Sequence, residues 1–169
     1  MKSLKYILIF FLIISLYNTK VNAQSNIVFI DIDFLIQESI PGKKILKKID
    51  EKNKEQTLIF KEREKKIKKN ENEIKKKQNN LSEQEFMKEI DKLKTDINIF
   101  NNEKKKAVEE LNKFKVNEIN LLLSNFNNII KDYMDANSIE IVINKKNLYI
   151  GKVSSDITKV ILDKINQKK

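Results

Sequence analysis

The chain reads as α+β and predominantly helical: a small β-rich body carrying a long antiparallel coiled-coil hairpin and a C-terminal helix. Three observations predict this. One Pro and two Gly in 169 residues leave few turns and therefore long elements. Apolar residues recur at heptad-like spacing through the middle of the chain, while short β-branched runs stand near both ends. Charged residues make up 34% of the chain, a proportion that suits long solvated helices.

The first segment stands apart. Residues 1–5 are basic, residues 6–17 are an almost unbroken apolar run, and Val21, Asn22 and Ala23 place small residues where a signal peptidase reads. The run is too short for a membrane span, which needs roughly 20 residues. Residues 1–23 are therefore expected to be a cleaved signal peptide, with Gln24 as the new N-terminus. Loss of Lys2, Lys5 and Lys20 leaves 31 basic and 24 acidic residues, a net +7. With no Cys, the exported chain has neither disulfides nor a site for a lipid anchor. Long helices or oligomerisation must supply its stability.

Residues 27–33 form a β-branched and aromatic run and read as a strand, followed by one or two helical turns over 34–39 and a break at Pro41-Gly42. From Lys43 to Asn79 no Pro or Gly occurs, and Phe60, Ile67, Ile74 and Leu81 repeat at intervals of seven. One apolar residue per heptad is a narrow seam. Glu62–Lys66, Glu64–Lys68, Glu71–Lys75 and Glu73–Lys77 stand at i,i+4, each able to support an exposed helix by roughly 0.2–0.5 kcal/mol. Ser82 followed by Glu85 is a capping box and predicts a second helix. Phe86, Ile90, Leu93, Ile97, Phe100, Lys104, Ala107, Leu111 and Phe114 alternate steps of four and three along it. The stripe then drifts to Ile119, Leu122, Phe126, Ile129 and Tyr133, widened by Leu121, Leu123 and Ile130, as at the base of an arm. The helix is expected to end near Ala136. Residues 139–144 alternate as a strand, 145–147 as a turn and 148–151 as a returning strand. Ser155-Asp156 then caps a last helix with Ile157, Val160, Ile161 and Ile165 on one face.

The expected organisation is a body made of residues 24–42 and 137–169, and an arm of residues 43–136 with its tip near 79–83. About 37 residues at 1.5 Å rise give an arm of roughly 50–55 Å. Three short strands and one helix make a poor core, so the body should be completed by other copies of itself. Ile27, Phe29, Ile30, Ile139, Ile141, Ile143, Leu148 and Ile150 are its expected oligomer core.

Charge is uneven. Residues 43–79 carry 15 basic and 7 acidic groups, and residues 83–136 carry 9 and 11. Lys65, Lys66, Lys68, Lys69, Lys75, Lys76 and Lys77 lie toward the tip. They read either as a solvated face or as a client-binding surface that attracts anionic partners over about 8 Å. Export argues against nucleic acid and for acidic unfolded chains or anionic head groups. With no His, the chain lacks a Ser/His/Asp set, and no Gly-rich phosphate loop or metal-ligand spacing is present. Asp31 and Asp33 read as solvated or capping carboxylates rather than a catalytic pair. No enzyme activity, cofactor or metal is expected. The Phe and Ile stripes read as helix–helix seams before client surfaces.

Taken together, Val28-Phe-Ile-Asp31, the stretch Gln37-Glu-Ser-Ile-Pro-Gly-Lys43, the Lys-rich hairpin, the strand at 139–144 and Ser155-Asp-Ile-Thr158 opening a helix resemble the Skp, or OmpH-like, family of periplasmic chaperones. The resemblance covers residues 24–169. It implies a periplasmic homotrimer whose three arms enclose a cavity holding unfolded outer-membrane β-barrel proteins without ATP. The chain departs from the family's composition in carrying a single Arg, and no lipopolysaccharide or anionic-lipid contact is assigned to particular residues. The alternative is a structural or adaptor coiled coil of the envelope without chaperone activity.

Overall fold

The computed structural model describes residues 26–168; the expected signal peptide lies outside them. Strand β1 (Ile27–Ile30) leads into the short helix α1 (Ile32–Glu38), then the two arm helices α2 (Ile40–Lys77) and α3 (Glu83–Ala136). Strand β2 (Ile141–Asn144), two single 3-10 turns at Lys145–Asn147 and Val153–Ser155, and helix α4 (Thr158–Gln167) complete the order.

β1 and β2 pair in parallel, Ile27 beside Ile141 and Ile30 beside Asn144. Parallel neighbours need a connection that travels back along the sheet. Here that connection is the whole arm. The sheet thus places both ends of the hairpin at one body. Val28, Ile30 and Val142 face inward against Leu35, Phe126, Ile130, Ile157, Ile161 and Ile165.

Local chemistry sets the boundaries. The Asp31 side chain accepts the Phe34 amide at 2.9 Å and starts α1, so the strand stops at Ile30 and Asp33 lies in a helix. The capping role read for Asp31 holds. Pro41 and Gly42 do not break the chain. They sit in the first turn of α2, where Pro loses no intrahelical hydrogen bond. Buried Ser39 caps that turn by accepting the Gly42 amide at 3.1 Å. Gly42 is required by packing, because a methyl group there would overlap the Ile36 carbonyl oxygen. At the arm tip, the Ser82 hydroxyl accepts the Glu85 amide and the Glu85 carboxylate accepts the Ser82 amide at 3.1 Å, which is the expected capping box. α3 ends at Ala136 with Ser138 at φ 52° and the Ile139 amide donating to the Met134 carbonyl at 3.0 Å. This is a Schellman closure that turns the chain into β2.

The expected strand at 148–151 is absent. The Asn144 side chain accepts the Lys146 amide at 3.2 Å and starts a 3-10 turn that carries the chain away from β2. The second neighbour of β1 comes later: Asp156 bridges Phe29, and the Ile157 amide donates to the Phe29 carbonyl at 3.0 Å. The last helix begins at Thr158, with Ile157 rather than Ser155 or Asp156 at its cap position; the Asp156 carboxylate accepts the Thr158 amide at 2.9 Å from one residue further back. Ile157, Ile161 and Ile165 are buried on its inner face, but Val160 is exposed and Leu162 packs against the core instead.

Candidate functional site

Two surfaces lie outside the body core, one on the arm and one on the sheet. Along the arm, Ile74, Leu93, Phe100 and Leu111 are buried, Phe60 and Ile67 are half-buried, and Phe60 and Phe100 meet edge-on with centroids 6.0 Å apart. The Phe and Ile stripe is thus the interhelical seam, as read from the sequence. Leu121 is the exception, being exposed where a widened stripe was expected.

Charge closes the seam from outside. Lys48 reaches Glu118 at 2.8 Å, Arg63 reaches Glu103 at 3.0 Å, and Lys104 at a seam position reaches Glu64 at 2.9 Å. The Lys48 and Lys52 ammonium groups lie over the Phe114 ring at 5.1 and 4.4 Å. Of the four i,i+4 pairs expected on α2, only Glu71–Lys75 forms, at 2.7 Å. Glu62 takes Lys65, Glu73 takes Lys69, and Glu64 crosses to Lys104. Cross-helix partners and i,i+3 geometry compete with the simple spacing rule. The Lys75 ammonium holds the Glu71 carboxyl below its ordinary range.

All seven tip lysines are exposed. Lys65, Lys69 and Lys75 have carboxylate neighbours, while Lys66, Lys68, Lys76 and Lys77 have none within 4.0 Å among the described residues. That leaves a cationic surface whose charge is only partly neutralised by its own chain.

The second surface is on the body. Phe29, Ile30 and Ile139 are buried within the single chain; Ile143 and Leu148 are half-buried. Gly151 lies against the Phe29 ring and Leu148, where a side chain would collide. Ile27 and Ile141 are paired neighbours and both are exposed. Tyr149, Ile150 and Val153 are 102%, 82% and 88% exposed. The outer edge of β2 carries no strand among the described residues. The sequence marked Ile27, Ile141 and Ile150 as apolar body residues but had no signal separating them from those the chain buries by itself. Tyr149 and Val153 were not singled out at all.

A cluster of another kind ties the body together. The Thr158 hydroxyl donates to Asp156 and accepts the Asp31 amide at 2.9 Å, and Lys145 reaches Asp156 at 3.3 Å. Burial raises the Asp156 pKa, but Thr158 and Lys145 outweigh it and hold the carboxyl below its ordinary range. These contacts join the ends of β1 and β2 to the start of α4. No group of three His, Cys, Asp or Glu side chains placed to hold a metal ion occurs among the described residues, and no described helix is long and apolar enough to cross a membrane.

No curated protein matches the chain. A solved structure from Caulobacter crescentus CB15, a candidate outer membrane chaperone (OmpH-like), shares the fold with a TM-score of 0.79. It has 10% sequence identity and covers 87% of either chain. The family profile for outer membrane proteins (OmpH-like) matches residues 26–165. With strand, arm, strand and terminal helix all inside that match, the chain belongs to the OmpH-like family.

Proposed function

We propose that the chain is an ATP-independent periplasmic holdase. Three copies joined through their bodies would bind unfolded outer-membrane β-barrel proteins between their arms and keep them soluble for delivery. The observation that carries this reading is the construction of the arm. Two helices of 38 and 54 residues project a cationic surface, yet much of their length is held by a seam of about one enclosed residue per turn or two. At 1.5 Å per residue the shorter helix extends about 57 Å, enough to wrap a compact unfolded chain.

Physical chemistry supports the assignment in two steps. Exposed lysines attract acidic stretches of a client within about 8 Å at physiological salt and raise the encounter rate. Each contact is weak, so retention comes from many at once and release requires no fuel. Features of the body support association with further copies. An open strand edge and exposed Ile27, Ile141, Tyr149 and Ile150 are features that folded monomers avoid. The family membership and the fold of the Caulobacter relative agree with a chaperone.

The test is suppression of aggregation. A urea-unfolded outer-membrane β-barrel protein diluted into buffer should stay soluble in the presence of this chain. Replacing Lys65, Lys66, Lys68, Lys69, Lys75, Lys76 and Lys77 by Gln should slow capture and flatten its dependence on salt without changing native mass. An unchanged capture rate would remove electrostatic attraction from the account. Failure of the wild-type chain to suppress aggregation would favour an envelope spacer.

A further inference from the structure

The enclosed positions of α2 are out of step with themselves. They advance by four and three from Ile45 through Ile49 to Lys52, and again by alternating threes and fours from Phe60 to Ile74. Between these stretches come two steps of four, Lys52 to Gln56 to Phe60. The facing seam of α3 keeps its alternation from Phe86 to Phe114, with exposed Lys104 at the one step that is not enclosed. Such a doubled step locally unwinds a coiled coil. Continuing the base pattern past Gln56 would bring Ile59 into the seam rather than Phe60.

Three further features sit at this place. Leu58 and Ile59 stand outside the seam, 63% and 57% exposed, where the inside is filled by Lys52 and Gln56. The cross-helix ion pairs bracket the stretch, with Lys48–Glu118 on the body side and Arg63–Glu103 and Glu64–Lys104 on the tip side. Among the described residues no cross-helix ion pair falls between 49 and 62. The two halves are thus held separately: the base by Ile45 against the body core, the tip by Ile67 and Ile74 in the seam.

We propose that residues 52–60 are a torsional joint in the arm, at which the doubled step shifts along α2 and exchanges Phe60 for Ile59 in the seam while Arg63 and Ile67 keep their places. In the exchanged state Ile59 is enclosed and the Phe60 ring leaves Phe100 for the surface. The joint lets the tip twist relative to the base without unpairing either half. It also changes which apolar side chain the middle of the arm presents. The joint stands on the packing alone and does not depend on what the arm holds.

Because the chain has no cysteine, disulfide trapping can read the exchange directly. Ala107→Cys on the facing seam is combined in turn with Phe60→Cys, Ile59→Cys and Lys61→Cys, and disulfide formation is followed in a glutathione buffer. Ile59 lies nearer the seam than Lys61 to begin with, so each pair is compared with itself in a Phe60→Ser background, where unspecific loosening of the helix speeds both alike. Loss of the Phe60 ring from the seam favours the exchanged state, so the joint gives an Ile59 pair that bonds on the order of tenfold faster in that background while the Lys61 pair changes little. An equal change for the two pairs would overturn it. The single variants Ile59→Cys and Lys61→Cys, read by thiol labelling, give a second reading should a pair disturb the arm. The joint expects Phe60→Ser to raise protection at 59 and leave 61 unchanged, and an equal change at both contradicts it.

Discussion

In the body, Leu35, Ile161 and Phe126 are enclosed from every side, by a sheet face and residues from all four helices. On the arm, Ile74, Leu93 and Phe100 are enclosed by one facing helix and by the stems and charges of flanking Lys, Arg and Glu. Both regions draw on the same apolar residue types. The body spends its apolar residues on one dense cluster and then has some left on its outer face. The arm spreads them thinly over a long seam that ion pairs complete. The body is therefore the part that folds as one dense unit, and the arm is the more loosely held part. Ion pairs between half-exposed side chains contribute about 0–1 kcal/mol each and are weakened by salt, so they guide the arm's register more than they hold it.

That contrast can be broken in several ways. The largest effect should come from Ile141→Asp, which places a charge on the exposed sheet face beside Ile27. Assembly should be lost, read as a fall in native mass, while helix content stays. Retention of full mass would place the interface elsewhere. Next, Phe126→Ala should cost about 3–5 kcal/mol by opening a cavity in the core. Phe60→Ala in the half-buried seam should cost about 1 kcal/mol. Denaturant titration of both variants reads the difference, and equal losses would erase the distinction between regions. A smaller effect, about 1 kcal/mol, is expected for Ser82→Ala, which removes the cap at the tip. Its signature should be faster amide exchange confined to the first turns of α3. The smallest concerns pH. Asp156 has a folded pKa below its unfolded value, near 3.9, so its contribution to stability is present above that pH and fades as pH falls through the lower folded value. The stability difference between wild type and Asp156→Asn should be flat near neutrality and shrink below about pH 4. A difference that grew on acidification would contradict the assigned direction.

Much of this division was legible beforehand because it rests on local chemistry. The capping box at Ser82 and Glu85, the heptad steps from Phe86 to Phe114 and the cap at Asp31 all involve residues a few positions apart, and each was found where expected. Strand partners were less legible, since pairing depends on residues more than a hundred positions away. Residues 148–151 have a strand's alternation, but Asn144 turns the chain before they can pair. Asp156, with no strand signature, bridges β1 instead. Pro41-Gly42 looked like a stop because both residues break helix interiors. In a first turn the same residues are compatible with a start, and the buried Ser39 hydroxyl decides between the two. The apolar body residues were visible as a set, but their division into those the chain buries and those it leaves open needed the fold.

The account's central claim joins the two regions: an unfinished body that assembles, and arms that then hold an unfolded chain. The native mass of residues 24–169, alone and mixed with one urea-unfolded outer-membrane β-barrel protein diluted from denaturant, tests both together. The account expects three chains alone and three chains with one client in a soluble complex. A monomer, or an assembly that leaves the client to aggregate, would contradict it.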